Sequence, residues 1–252
     1  MVQSVGFIGV GDLAEYTIKG LRLGGYAGHI YLSPRNAAMS EKLAEECDGE
    51  ILANNQAIAD QSDCLIISTR PAHCLAALKA LRFKPSQLLV SVVAGVSEAE
   101  LRTVVPSHVM IVRAMPVSSA QAGASPTLIY PDHPTVTTLF SYCGDSISVD
   151  TEAAYDQGSV LACVYTWYFS LFGQLIDSTT NEALPADKAK ALVLGMAKGA
   201  ASLAIQRSET AGEIAEAIAT DGTFSKLGLD LLKDNNAFAP WDEACELLLK
   251  RL

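Results

Sequence analysis

The first half of the chain alternates short apolar runs with stretches in which apolar residues recur at helical spacing. Runs such as Cys64–Ser68 and Leu88–Val93 are apolar and rich in branched residues, as in parallel strands buried on both faces. The predicted strands are Val5–Ile8, His29–Leu32, Cys64–Ser68, Leu88–Val93, Val109–Arg113, Leu128–Tyr130 and Ser146–Val149. The predicted helices among them are Asp12–Leu23, Asn36–Cys47, Ala72–Leu81 and Thr135–Tyr142. This alternation predicts a mostly parallel sheet with right-handed crossovers.

Strand signals disappear after about residue 150. The predicted helices of this second half are Thr151–Asp177, Pro185–Gln206, Glu209–Ala219, Ser225–Lys233 and Pro240–Leu252. Pro185 and Pro240 suit the first turns of two of them. We therefore expect an α/β domain over residues 1–150 and an all-α domain over residues 151–252.

Charge and cysteine usage exclude several classes of protein. The formal net charge of -10 argues against nucleic acid and anionic membranes as partners. The six cysteines form no C-x-x-C pair, and the histidines add no zinc-like spacing, so we expect no metal site. The first strand begins near Ser4, which leaves no room for a secretory signal, and we expect a cytoplasmic protein.

One uncharged segment, Gly158–Ile176, approaches the length of a membrane span. It contains Ser, Thr, Gln and two Tyr, and no Lys/Arg cluster flanks it. A helix that is apolar on all sides is more often buried within a helical assembly. We therefore expect a buried helix and no membrane association.

A glycine fingerprint follows the first predicted strand. Gly9, Gly11 and Ala14 form the pattern G-x-G-x-x-A at the start of the first predicted helix. Gly9 allows a tight turn, Gly11 lets a pyrophosphate approach the backbone, and Ala14 keeps helix and strand close. The backbone N–H groups of Asp12 and Leu13 then face the phosphates at the helix N-terminus. The pattern predicts a Rossmann domain that binds a dinucleotide.

The end of the second predicted strand indicates which dinucleotide binds. NAD-binding proteins usually place a carboxylate there to hold the ribose hydroxyls. Here the segment contains Ser33 and Arg35 and has no carboxylate. Both side chains are able to donate charge-assisted hydrogen bonds to a 2′-phosphate. The sequence therefore predicts NADP as the cofactor.

The glycine fingerprint and two later motifs resemble those of the pyrroline-5-carboxylate reductase family, whose members make proline. The likeness lies in segment 5–15, in Ser91–Val96, which contains an alanine–glycine strand end, and in the R-x-M-P motif of Arg113–Pro116. Thr69-Arg70-Pro71 stands where the family usually has a lysine–proline step. The resemblance implies a Rossmann domain followed by a helical dimerisation domain, and NADP-dependent reduction of a cyclic imine.

The resemblance also implies roles for particular segments. Ala94 and Gly95, together with Met115 and Pro116, would line the nicotinamide. The helical domain would interleave with that of a second copy, giving a homodimer. A dimer core would also explain the uncharged Gly158–Ile176 helix better than a membrane does.

The family's P-G-G-T-T substrate loop would fall on residues 220–224, where only Gly222 and Thr223 are retained. Thr223 is a candidate donor to the imine nitrogen or the substrate carboxylate, although a helix N-cap is an equal alternative. Asp221 either caps the same helix or binds a cationic iminium. A carboxylate at this position hints at a cationic or neutral substrate.

Several residues and functions keep two interpretations. Asn54 and Asn55 contact the adenosine ribose or serve as turn residues. Arg70 pairs with a phosphate or substrate carboxylate, or is a solvated loop residue. Besides imine reduction, the chain could reduce another small substrate, such as a hydroxyacid or ketoacid. Reductases of that class need a catalytic lysine on a helix just after the domain boundary, and segment 151–181 contains no lysine. It could also be a regulatory protein that binds the cofactor without catalysis.

Overall fold

The computed structural model describes residues 2–251, which form two compact units. The first extends to Ala162, and the second covers Cys163–Lys250. The division falls within one long helix, whereas the sequence places the domain boundary near residue 150, where that helix begins. The position of the boundary stays a prediction.

The first unit is built on an eight-stranded sheet. Its strands are β1 Ser4–Ile8, β2 His29–Leu32, β3 Gly49–Ile51, β4 Cys64–Ile67, β5 Leu88–Ser91, β6 Met110–Met115, β7 Thr127–Tyr130 and β8 Ser146–Ser148. The spatial order is β3-β2-β1-β4-β5-β6-β7-β8. Every neighbouring pair is parallel except β6 and β7, which are antiparallel. The predicted mostly parallel Rossmann sheet is confirmed.

Helices cover both faces of this sheet. They are α1 Asp12–Leu23, α2 Ala37–Cys47, α3 Asn55–Gln61, α4 Pro71–Lys79, α5 Glu98–Arg102 and α6 Pro134–Ser141, with a 3₁₀ turn at Ser118–Ala122. Successive strand residues alternate between two buried clusters, so that Phe7 and Ile66 pack on one face while Ile8 and Ile67 pack on the other. The continuous apolar runs therefore reflect burial on both faces.

Four short elements of this unit are absent from the predicted set: β3, α3, α5 and the 3₁₀ turn. Each is seven residues or shorter, too short for apolar periodicity to identify it. The 3₁₀ turn packs closely on α1, since a Cβ on Gly20 would lie 2.3 Å from the carbonyl oxygen of Ala120. A glycine at this position of α1 thus lets the chain after β6 lie directly against the helix.

The second half of the chain is helical, as predicted. Its helices are α7 Glu152–Thr179, α8 Ala186–Gln206, α9 Ala211–Ile218, α10 Phe224–Asp234 and α11 Ala239–Leu249. Many large apolar side chains of the second unit are exposed, among them Phe169, Met196 and Leu227. Among residues 2–251, α7 is the one helix long and apolar enough to cross a membrane.

Candidate dinucleotide site

A cavity of about 450 Å³ opens where β1, β2 and β4 end at the carboxyl edge of the sheet. Ligands of open α/β folds bind at this edge. The lining residues are Ile8, Gly9, Val10, Gly11, Ser33, Arg35, Asn36, Asn55, Ser68, Thr69, Arg70, His73 and Ala77. The structure thus brings together six residues that the sequence assigned to a cofactor: Gly9, Gly11, Ser33, Arg35, Thr69 and Arg70.

The glycine loop has the geometry that close approach of a ligand requires. Gly9 has a φ of +90°, and a Cβ there would lie 2.7 Å from Thr69 Cγ2 and 2.9 Å from the Thr69 nitrogen. A Cβ on Gly11 would meet no atom within 4 Å, so the space in front of Gly11 is open. Gly11 is the N-cap of α1 and brings no side chain to the first-turn N–H groups, which include those of Asp12 and Leu13. Ala14 is buried against the strand, as the fingerprint predicts.

Three side chains hold this loop in place. The N–H of Gly9 donates to Ser33 Oγ at 3.1 Å, and Ser68 Oγ donates to the Gly9 carbonyl oxygen at 2.6 Å. Asn36 Nδ2 donates to the carbonyl oxygen of Val10 at 2.8 Å. Ser33 therefore has a structural role in the loop, while its predicted contact with a 2′-phosphate stays a prediction. Ser68 directly follows β4 and Asn36 is the N-cap of α2, and neither is among the residues predicted to bind the cofactor.

The polar lining of the cavity suits an anionic ligand. Arg35, Arg70 and His73 are exposed side chains on this wall, and no carboxylate lies among the lining residues. Thr69 Oγ1 is buried and has no hydrogen-bond partner within the described residues 2–251. A buried hydroxyl of this kind calls for a partner. A phosphate or ribose of a dinucleotide would supply one, so the residues present fit such a cofactor.

The α4 helix begins directly beside this cavity. Arg70 is its N-cap and Pro71 occupies its first turn, as the fixed φ of proline favours. Burial raises the pKa of the Cys74 thiol in the same helix to about 11, so that it stays protonated at neutral pH. The site therefore offers cationic and hydroxyl donors, and the nearby thiol is no nucleophile.

Asn54 and Asn55 take different positions. Asn54 Oδ1 accepts a hydrogen bond from the Ala57 N–H at 2.9 Å and caps α3, whereas Asn55 lines the cavity. The turn interpretation of Asn54 thus has a structural counterpart. Its predicted ribose contact stays a prediction, and Asn55 is the neighbour that faces the site.

The four residues assigned to the nicotinamide follow the adjacent strands β5 and β6. Ala94 and Gly95 are exposed in the loop after β5, and Gly95 has a φ of +68°. Met115 ends β6, and Pro116 follows it. They lie at the same edge of the sheet as the cavity, but outside its lining. Their contact with a nicotinamide stays a prediction.

Thr223 and Asp221 belong to the second unit. Thr223 is the N-cap of α10, where Oγ1 accepts from the Lys226 N–H at 3.2 Å and donates to the Thr220 carbonyl oxygen at 2.7 Å. Asp221 is exposed, and Gly222 has a φ of +83°. The capping alternative for Thr223 is therefore present in the structure, and its substrate contact stays a prediction.

Comparison with known proteins gives matches in both halves of the chain. Residues 4–95 match the family profile described as NADP oxidoreductase coenzyme F420-dependent. Residues 152–251 match the one described as pyrroline-5-carboxylate reductase dimerisation. The pyrroline-5-carboxylate reductase of Pseudomonas aeruginosa is 27% identical over 259 residues, which cover 98% of this chain and 94% of that protein.

Solved structures with the same fold cover nearly the whole chain. The 1-pyrroline-5-carboxylate reductase of Streptococcus pyogenes superposes with a TM-score of 0.86 at 25% identity, covering 98% of this chain and 96% of that one. The Plasmodium falciparum pyrroline carboxylate reductase, solved with NADP bound, has a TM-score of 0.85 at 20% identity, with coverages of 98% and 95%. The likeness thus extends across both units.

The unpartnered hydroxyl at the cavity gives a first prediction. Thr69→Val replaces it with a methyl group of similar shape, so the free energy of unfolding should stay equal or rise, because a buried unsatisfied group is removed. Affinity for NADP should fall about tenfold, as for the loss of one hydrogen bond to a ligand. Chemical denaturation and titration calorimetry measure the two effects.

Ser68→Ala is the matched control. It removes the 2.6 Å bond to the Gly9 carbonyl oxygen and should lower both the stability and the affinity. A Thr69→Val protein that is destabilised, with unchanged NADP affinity, would mean that the Thr69 hydroxyl serves the fold and not a ligand.

Proposed function

This chain belongs to the pyrroline-5-carboxylate reductase family, and from that premise we propose that it reduces the C=N bond of a cyclic imine with NADPH. The observation that carries the proposal is the cationic cavity at the glycine loop, in a chain related along its length to such reductases. The two other functions weighed from the sequence, another reductase and a regulatory protein, are not favoured by these relatives. We place the reaction in proline biosynthesis and in the cytoplasm, in keeping with the family.

The residues of the cavity would hold the adenosine and phosphate parts of NADPH. The Gly9–Ala14 turn and the N-terminus of α1 would hold the pyrophosphate. Arg35, which lines the cavity after the end of β2, would bind the 2′-phosphate, the group on the adenosine ribose that distinguishes NADPH from NADH. When bound, NADPH supplies a hydride to the imine carbon and a proton joins the nitrogen, which yields the amine and NADP⁺.

The remaining role of the protein is to bind and orient the nicotinamide and the imine substrate. Hydride transfer needs little acid–base machinery from the protein. Burial raises the pKa of the Cys64 and Cys74 thiols, so both stay protonated at neutral pH. We propose that Ala94, Gly95, Met115 and Pro116 place the nicotinamide. We propose further that Thr223 donates a hydrogen bond to the imine substrate, although its hydroxyl also caps α10, and that Asp221 sets the charge that the site accepts.

We also propose that the protein is a homodimer through its helical part. A groove of about 480 Å³ within the second unit has a lining that is apolar except for Thr179, from α7, the turn after it and α8. Phe169 and Met196 are 57% and 71% exposed in one copy. Exposed apolar surface on this scale marks an interaction site. A second copy covers it more readily than a membrane, because α8 also carries exposed Asp187, Lys188 and Lys190.

Cofactor choice gives a second prediction. NADPH should bind about ten- to a hundredfold more tightly than NADH, because Arg35 donates charge-assisted hydrogen bonds to the 2′-phosphate. Arg35→Ala should abolish that preference and leave NADH affinity unchanged. Arg82→Ala is the control, since Arg82 is exposed outside the cavity lining. Both dissociation constants are measured by fluorescence titration, and equal affinities in the wild type would refute the NADP assignment.

The dimer gives a third prediction. Sedimentation at micromolar concentration should show a dimer and no folded monomer, because obligate interfaces bury roughly 2,000–5,000 Å². Met196→Glu places a charge in the apolar groove and should yield monomer or unfolded chain. Lys188→Gln, on the same helix but already polar, should sediment like the wild type. A stable wild-type monomer would mean that the exposed helices need no partner.

The altered substrate loop gives a fourth prediction. Thr223→Ala should lower turnover about ten- to a hundredfold while NADPH affinity stays nearly unchanged, because a substrate contact is lost. The loss of the α10 cap lowers stability as well, so Thr223→Ser, which keeps the hydroxyl, is the control for the cap. Stopped-flow NADPH oxidation and thermal unfolding separate the two effects.

Asp221→Gly tests the charge of the same loop. It restores part of the family motif and removes a carboxylate that repels a carboxylate substrate. Activity on pyrroline-5-carboxylate should rise. If the wild type already reduces that substrate efficiently and Asp221→Gly changes nothing, Asp221 does not set substrate choice. If no imine is reduced by either protein, the proposed reaction is wrong.

A further inference from the structure

Arg113 is a buried charge in the middle of the sheet. It lies on β6, paired with Ser91 of β5 on one side and with Tyr130 of β7 on the other, and it is 5% exposed. A charged side chain in such a position is costly unless it is paired. Its partners therefore show what the arginine holds together.

Those partners lie on the first turns of α7. Arg113 Nη1 donates to Glu152 Oε1 at 2.8 Å and to Asp156 Oδ1 at 3.0 Å. The guanidinium also lies 4.3 Å from the centre of the Tyr155 ring, and Tyr155 is almost fully buried. Two ion pairs and a cation–π contact of Arg113 therefore hold the start of α7 against the end of β6.

The same network reaches the loop after β5. Glu152 Oε1 accepts a further hydrogen bond from the N–H of Glu98 at 2.8 Å, at the first turn of α5. Ser97 and Glu100 form a capping box at this helix start. The pKa of the Glu100 carboxyl lies below its ordinary value, first because of the Ser97 N–H and in smaller part because of the Arg113 charge. One carboxylate oxygen therefore links β6 to the end of the Ala94–Val96 loop.

We infer that Arg113 is a positioning residue for the nicotinamide half of the cofactor. Side chains two apart on a strand share a face, so Arg113 and Met115 lie on the same side of β6. Through Glu152 and Glu98, Arg113 fixes the separation of the two segments proposed to flank the nicotinamide. This inference rests on the proposed function, because it takes the nicotinamide to lie at these two strand ends.

The adenosine part and the nicotinamide part of the proposed cofactor site are built from different strand ends. The adenosine cavity is built from the ends of β1, β2 and β4, and no residue of the Arg113 network lines it. Loss of Arg113 should therefore leave adenosine binding intact while the nicotinamide segments shift. A displacement of about 1 Å of a reacting group lowers the rate about 100-fold.

The experiment compares Arg113→Met and Glu152→Gln with Arg102→Met. Arg102 binds the carbonyl oxygen of Val109 at 2.7 Å and the Glu98 carboxylate at 3.3 Å, so it also links α5 to the start of β6, away from the carboxyl edge. Affinities for 2′,5′-ADP, which lacks the nicotinamide, and for NADPH are measured by calorimetry. Turnover is measured with pyrroline-5-carboxylate.

Arg113→Met should lower turnover about 100-fold and NADPH affinity about tenfold, with 2′,5′-ADP affinity unchanged. Glu152→Gln keeps the shape of the side chain and should lower turnover and NADPH affinity in the same way, but less. If Arg113→Met does not fold, the result for Glu152→Gln tests the role of the network. Arg113→Lys should restore only part of the turnover, because lysine lacks the planar fork. Arg102→Met should change stability alone.

Two results would overturn the inference. Parallel loss of 2′,5′-ADP and NADPH affinity in Glu152→Gln would mean a general structural role. Wild-type turnover and affinity in both network variants would mean that the contacts do not position the site. Failure of the proposed function gives a different pattern, because the wild type itself then reduces no imine while it still binds 2′,5′-ADP.

Discussion

Backbone contact between the β1–α1 turn and the end of β4 is the constraint on which the candidate site depends. Gly9 turns the chain at a φ of +90° within van der Waals reach of Thr69, where no side chain fits. This contact directs α1 so that its free N-terminus points over the edge of the sheet. Ser33 and Ser68 then hold the turn from the two neighbouring strands. These contacts within the protein restrict the loop, and a restricted loop loses less entropy when it binds a ligand.

The sequence predicted the long elements better than the short ones. Helix α1 has the predicted bounds, because a strand, a glycine turn and a closing Gly24-Gly25 define both of its ends. Strand β3 depends instead on tertiary pairing, because it joins the sheet only through β2 and no local pattern encodes that partner. Helix α5 does have a local signal, the Ser97–Glu100 capping box, but its five residues are too few for apolar periodicity to identify a helix.

The same distinction holds for the site. Strand-end positions were recognisable because parallel strands bring their carboxyl ends to one edge, and Gly9, Ser33 and Thr69 accordingly line one cavity. The choice between Asn54 and Asn55 was not recognisable, because it depends on which amide caps α3. The partners of Arg113 lie 39 and 43 residues further along the chain, where the sequence shows only ordinary acidic residues at a helix start.

Charge distribution connects the composition of the chain to its site. The protein carries a net charge of -10, which repels phosphate-bearing molecules from most of its surface. The cavity reverses this locally, since its wall has two arginines, a histidine and a helix N-terminus but no carboxylate. The buried guanidinium of Arg113, in contrast, is matched by two carboxylates and adds no positive field there. An anionic dinucleotide is therefore attracted to this cavity, while the acidic exterior repels it from the rest of the surface.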